Sequence, residues 1–200
     1  EIIVLASRIV DNLIDAGCKL IVVACNTATA AAIDYLRRTY NVPFVGMEPA
    51  IKQAALHTKT GKVGVLATKG TFDGKLYKST SEKYASNVDV MVQIGDGLVE
   101  MVEANKFDTP EGLSLIMSYI TPMVEHGVDQ IVLGCTHYPF FKPQIEKCVS
   151  GAVTVIDPAP AVAKRVVELM SLNNLYSDGQ QTVTDVFASS SSVRPMLSLL

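Results

Sequence analysis

The chain carries one strand–turn–helix junction twice. Leu20-Ile-Val-Val-Ala24 is an apolar, β-branched run that stops at Cys25-Asn-Thr27, where an alanine-rich helical period takes over. Gln130-Ile-Val-Leu-Gly134 stops in the same way at Cys135-Thr-His137. Runs this short and apolar read as buried parallel strands, and open α/β sheets place their ligands beyond the carboxyl ends of such strands. In both copies a helical period ends at a glycine, Gly17 or Gly127, and the cysteine follows eight residues later. The duplication predicts two related lobes, each presenting one thiol at the end of an equivalent strand.

The rest of the chain alternates in the same manner. Ile2, Leu5, Ile9 and Leu13 lie at helical spacing, predicting a helix to Ala16. Strands are expected over 19–24, 44–47, 62–67, 88–94, 129–134, 152–156 and 182–188. Helices are expected over about 29–40, 48–56, 72–84, 108–126, 141–149 and 157–170, with a further helical stretch around Glu100 and Glu103. A polar loop over 171–181 and a short apolar tail after Ser192 complete the pattern. Such alternation argues for an α/β fold built on parallel sheets. We expect two pseudo-symmetric α/β lobes, the first from about 1–47 and 158–200 and the second from 48–157, with the active site between them.

The lobes are unequal in front of their cysteines. The run Lys62 to Ala67, with its Thr68-Lys-Gly-Thr71 turn, begins 73 residues before Cys135, whereas only 24 residues precede Cys25. The repeat predicts a further segment of about 50 residues before Glu1, including one strand and its site-facing loop. The first lobe is expected to be incomplete in this chain.

Composition narrows the function classes. At 48% hydrophobic and 18% charged residues, with a net charge of −3, the chain lacks the basic footprint of a nucleic-acid or anionic-membrane binder. Its longest apolar runs fall well short of the roughly 20 residues of a membrane span. The four cysteines form no Cys-x-x-Cys pair, which favours free thiols and a cytoplasmic setting.

Two opposed thiols suit a reaction that needs one group on each face of a planar intermediate, such as racemisation at a carbon α to a carboxylate. Cysteine serves because its ordinary pKa of about 8.5 lies near working pH. His137 reads equally as a structural hydrogen-bonding residue or as the group that tunes Cys135. The hydroxyls of Thr27, Thr68, Thr71 and Thr136, with amides at helix N-termini, suit an anionic substrate. Cys18 and Cys148 read as packing residues, His57 and His126 as solvated or capping residues, and Glu100 and Glu103 as a solvated helix face. Zinc held by Cys25, Cys135 and His137 would have poor ligand spacing and no evident fourth ligand. No glycine-rich nucleotide loop is present, and no cofactor is expected.

With these residues in view, Val23-Ala-Cys25-Asn-Thr-Ala-Thr-Ala30 and Leu133-Gly-Cys135-Thr-His-Tyr-Pro-Phe140 resemble the paired signatures of the bacterial glutamate racemases, in the aspartate/glutamate racemase family. Gly64-Val-Leu-Ala-Thr68-Lys-Gly-Thr71 and Val45-Gly-Met-Glu-Pro49 fit the same pattern. The histidine after Cys135-Thr136 favours the glutamate enzymes over those for aspartate or hydantoins. The resemblance implies a cofactor-independent isomerase that interconverts L- and D-glutamate for peptidoglycan and cell-wall biogenesis in the bacterial cytoplasm. It implies a small-molecule substrate, with a homodimer left open. By the same resemblance Cys25 acts on the D-enantiomer and Cys135 on the L-enantiomer, His137 assists Cys135, and Glu103 lies near the histidine. Asn26, Thr27, Thr71 and Thr136 match substrate-binding positions, and Thr68 is a further candidate.

The family's Asp-Ser and Tyr-Gly motifs are absent, and both belong to the segment that the repeat places before Glu1. Cys25 is therefore expected to lack its supporting aspartate, and the 200-residue chain to be inactive or nearly so. Gly95-Asp96 stands where many members have Cys-Pro. A racemase or decarboxylase for a related amino acid, and a non-catalytic glutamate-binding domain, remain the alternatives.

Overall fold

The computed structural model describes residues 1–48, 50–73, 87–149, 151–177, 179 and 184–190. Helix α1 (Ile2–Asp15) is followed by β1 (Ile21–Val23), α2 (Asn26–Thr39), β2 (Phe44–Gly46) and α3 (Ile51–His57). Next come β3 (Lys62–Ala67), α4 (Lys69–Asp73), β4 (Asp89–Ile94), α5 (Leu98–Glu103) and α6 (Pro110–Glu125). After β5 (Gln130–Gly134), a 3-10 turn (Tyr138–Phe141) leads into α7 (Lys142–Val149), β6 (Thr154–Ile156) and α8 (Ala159–Leu172). The strands form two parallel sheets, β1–β2 and the four-stranded β4–β3–β5–β6.

The larger sheet is covered on both faces, as parallel sheets require. Strand β3 is buried along almost its whole length and sends alternate residues to opposite sides. Val63, Val65 and Ala67 pack with Val132 and Ile156 against Ile51 and Ala54 of α3. On the other face Leu66, Ile131 and Leu133 meet Leu98, Val102, Ile116, Ile120 and Met123 of α5 and α6. Gly64 sits on that second face because a Cβ there would come within 2.6 Å of the Met123 sulfur. The smaller sheet has its own core of Val10, Ile21, Ala32, Ile33, Leu36 and Phe44. Helix α8 packs onto β2, so the last described helix returns to the first sheet.

The sequence repeat is also a structural repeat. Helix α1 ends with Gly17 at φ +86, where the Cys18 amide bonds back to the Leu13 carbonyl and the Gly17 amide to that of Ile14. Helix α6 ends identically at Gly127, φ +87, with Val128 bonded to Met123 and Gly127 to Val124. This six-to-one closure needs a left-handed residue, which glycine adopts without steric cost. Each closure feeds a strand that pairs with the next strand in the chain, β1 with β2 and β5 with β6. Strand β5 is flanked on its other edge by β3. The corresponding edge of β1 carries no strand among the described residues.

Several expected boundaries move. Strand β1 is shorter than 19–24, and α2 begins at Asn26 rather than Thr29, because Cys25 itself is the N-cap. Helix α3 starts after Ala50, with Pro49 outside the described residues. Of the helix expected over 72–84, only the start is described, within α4, and 74–86 lie outside. The helix expected over 141–149 is preceded by the 3-10 turn, whose second residue is Pro139. Residues 184–189 of the strand expected over 182–188 and its flank are not a strand. They join neither of the two described sheets, and Val186 and Phe187 are exposed. Residues 182–183 and the tail from 191 lie outside the described set. Cys148 is exposed rather than packed, because α7 buries a single seam of Ile145 and Val149. Cys18 does pack against the first core.

At the amino ends of β3 and β5, Asp129 binds the preceding loop. Its carboxylate accepts from the Thr58 hydroxyl at 2.5 Å and from the Lys59 and Thr60 amides at 2.6 and 3.0 Å. Partial burial raises its pKa, but these bonds outweigh that and hold it below the ordinary 3.8. A depressed carboxyl pKa contributes stability above the unfolded value that is lost as pH falls through the folded one. Asp129→Asn should therefore cost about 1–3 kcal/mol at pH 7. In urea titrations, the gap between variant and parent should shrink toward pH 3.

A two-thiol cavity at the carboxyl ends of the strands

Chain order reverses between β3 and β5, since β4 leaves β3 on one side and β5 joins it on the other. A reversal of this kind opens a crevice beyond the carboxyl ends of the strands. The turns after β3 and β5 meet there with the turn after β1. They enclose a cavity of about 340 Å³ lined by Cys25, Asn26, Thr27, Thr68, Thr71, Cys135, Thr136 and His137, with Ala24, Val99 and Gly134 completing the wall. Eight of the nine residues singled out in the sequence thus share one cavity. The ninth, Glu103, stands behind it, its carboxylate 3.3 Å from His137 Nε2.

Three threonine hydroxyls tie the loops together. Thr27 Oγ1 lies 3.2 Å from Thr68 Oγ1 and 3.3 Å from Thr71 Oγ1, and the latter two are 3.1 Å apart. Thr71 also reaches the Gly134 carbonyl at 3.4 Å. Gly70 permits the approach, for a Cβ there would stand 2.7 Å from Thr27 Cγ2. Beneath them Thr29 donates to the Val23 carbonyl and accepts from the Met47 amide, joining the ends of β1 and β2.

The two thiols occupy different environments. Cys25 is exposed and caps α2, its sulfur accepting from the Ala28 amide at 3.4 Å. Cys135 is half-buried, and its Sγ lies 4.0 Å from His137 Nδ1. Burial pushes the Cys135 thiol above its ordinary pKa. The His137 amide pulls the other way, the Cys25 thiol adds to the rise, and the Tyr138 amide opposes it. The two ring nitrogens of His137 face different groups, Nδ1 the Cys135 sulfur and Nε2 the Glu103 carboxylate. Asn26 is 97% buried at the head of α2, and neither its amide oxygen nor its nitrogen has a partner among the described residues. A buried amide with both ends unmet calls for a polar partner, an ordered water or a bound ligand.

Sequence reasoning did not single out Val99 or Gly134. Val99 had no signal, being one apolar residue in an amphipathic helix. Gly134 had one, a glycine ending a buried strand, where a Cβ would come within 2.7 Å of the Ala67 Cβ. The other histidines lie elsewhere: His57 Nδ1 is 2.8 Å from the Gln53 carbonyl, and His126 Nε2 is 2.7 Å from Asp89. Among the described residues no three of His, Cys, Asp and Glu are grouped to hold a metal ion, and no helix is long and apolar enough to cross a membrane.

A parallel α/β scaffold that brings two thiols into one hydroxyl-lined cavity suits proton transfer at a carbon within reach of both. The chain belongs to the Asp/Glu/Hydantoin racemase family, whose model matches residues 4–166. Within it, the chain is 43% identical over 177 residues to a glutamate racemase of Herpetosiphon aurantiacus, covering 88% of this chain and 70% of that protein. It is 44% identical over 174 residues to a glutamate racemase of Pseudomonas aeruginosa, covering 86% and 66%. The fold matches the crystal structure of Escherichia coli glutamate racemase in complex with L-glutamate and the activator UDP-MurNAc-Ala, with a TM-score of 0.77 at 29% identity, covering 85% of this chain and 65% of that one. The chain thus spans about two thirds of the length of these relatives.

The contrast between the thiols is measurable. Iodoacetamide should alkylate Cys135 with a pH midpoint above that of an ordinary thiol. Peptide-resolved mass spectrometry across pH 6–10 would follow it, with Cys25 in the same sample as the exposed comparison.

Proposed function

We propose that this chain carries the two-thiol site of a glutamate racemase, working without a cofactor on the L- and D-forms of glutamate. The observation that carries the proposal is the meeting of Cys25 and Cys135, from equivalent positions of a repeated unit, across one cavity. In this reading one thiolate removes the Cα proton from its face of the substrate, and the thiol opposite returns a proton to the other face. Cys135 acts on L-glutamate and Cys25 on D-glutamate. His137, oriented by Glu103, takes the proton from Cys135 as the thiolate forms and gives it back on the return.

Substrate holding falls to the remaining residues. Thr27, Thr68, Thr71 and Thr136 offer hydroxyls to the carboxylates. Asn26 offers an oxygen to the ammonium group and a nitrogen to a carboxylate, which would satisfy both of its unmet atoms. Amides at the head of α2 favour the negative end of the substrate. We place residues 1–47 and 158–200 in one lobe and 48–157 in the other, a division supported by the packing of α8 onto β2. The product, D-glutamate, serves peptidoglycan synthesis, which places the protein in the bacterial cytoplasm.

Exchange at Cα in deuterated water, followed by NMR, tests the two-base reading. Protein expressed from its complete reading frame should wash deuterium into glutamate and not into aspartate, and the exchange in the 200-residue chain should be far weaker. Cys135→Ser should slow exchange from L-glutamate by about 10³-fold or more. Unchanged exchange in that variant would sink the mechanism, and exchange into aspartate would reassign the substrate. Glutamate binding without exchange, in a protein with both cysteines intact, would point to a binding domain instead.

A further inference from the structure

Two tyrosines outside the cavity hold the turn on which its second wall is hung. Tyr138 is fully buried, and its phenol donates to the Gly95 carbonyl at 3.0 Å. Tyr119, on α6, donates to the neighbouring Asp96 carbonyl at 2.8 Å. Gly95 is shaped to receive the phenol, since a Cβ there would stand 2.7 Å from the Tyr138 oxygen and 2.6 Å from Leu98 Cδ1. The turn so gripped launches α5, whose first residues supply Val99 to the cavity wall and whose last, Glu103, meets His137. Helix α5 packs directly on the 3-10 turn that begins at Tyr138. Tyr138 is thus next in sequence to the histidine and is bonded to the turn that starts the helix of the histidine's partner.

We infer that Tyr138 is a positioning residue for the Cys135 side of the site: its bond to Gly95 keeps the Glu103 carboxylate in register with His137 Nε2, and so keeps His137 Nδ1 aimed at the Cys135 sulfur. The inference rests on the roles given above to Glu103, His137 and Cys135. Burial, reinforced by the nearby Cys135, pushes the phenol above its usual pKa, so it remains a donor throughout the working range. The groups that bear on Cys135 are Cys25 across the cavity, His137 and Tyr138 on its own loop, and Glu103 through His137. Those around the phenol are Cys135, Tyr119, Asp96 and Glu100.

Thiol chemistry on the chain itself provides the test and needs no turnover, so a failed racemase assignment would not be mistaken for a failed clamp. In Tyr138→Phe, iodoacetamide should modify Cys135 at pH 7 about three- to tenfold more slowly, the effect of one lost hydrogen bond. The pH midpoint should move upward while the Cys25 rate stays unchanged. Glu103→Gln should produce the same shift, and the double variant should add nothing to it, because both changes release the same imidazole. A purely structural role would lower the melting temperature without moving the Cys135 midpoint. An unmoved midpoint in Tyr138→Phe, or additive shifts in the double variant, would overturn the inference. Should Tyr138→Phe melt early, Tyr119→Phe loosens the same turn from its outer side. A shift confined to Cys135 in that variant supports the clamp, and no shift refutes it.

Discussion

The contact among Thr27, Thr68 and Thr71 is the one on which the site depends. Strands β1 and β3 belong to separate sheets, and these hydroxyls are where their carboxyl-end turns touch. Each such bond contributes only about 1 kcal/mol net in water. Their importance lies in register. Slide the first sheet by one residue and Thr27 leaves both partners, Gly70 loses its neighbour, and Cys25 no longer faces the cavity. The tight fit of Gly70 against Thr27 makes the same point sterically, because the seam has no room for a methyl group.

Around that seam the two halves differ in kind although they descend from one repeated pattern. One thiol stands in the open at a helix head, and the other is recessed against two backbone amides and an imidazole. Low dielectric around Cys135 strengthens every polar contact it makes and also makes its charge costly to form. On the proposed mechanism a residue that shares the proton would matter more on that side, where an imidazole lies 4.0 Å from the sulfur. His137, Glu103 and the tyrosine-held turn all belong to that side.

Much of this was legible in the chain because it depends on local pattern. Short β-branched runs, glycines at helix ends and polar residues after strands located every described strand and brought eight site residues to one cavity. The repeat was visible because the six-to-one glycine closure and the strand that follows it are local structures. What escaped depended on partners distant in sequence. Val186 and Phe187 look like strand residues, but a strand exists only where its backbone joins a sheet, and these two pair with none of the described strands and stand exposed. Cys148 looked like packing until α7 proved to bury one seam. Glu103 read as a solvated carboxylate and is half exposed, yet its oxygen meets an imidazole 34 residues further along the chain. Nothing in the residues around Tyr138 announces a bond to Gly95, 43 positions earlier.

The hydroxyl triangle also has a handedness. Three hydroxyls, each with one proton to give and each within reach of the other two, can close a ring of bonds in either rotational sense. The Gly134 carbonyl breaks that degeneracy, because a Thr71 proton directed to it opens the ring. A carboxylate arriving at the threonines, which brings acceptors and no donors, would choose among these arrangements by drawing protons outward. The bonds that join the two sheets can therefore also order protons, and recognition of an anion there would draw on the same three hydrogens that hold the seam.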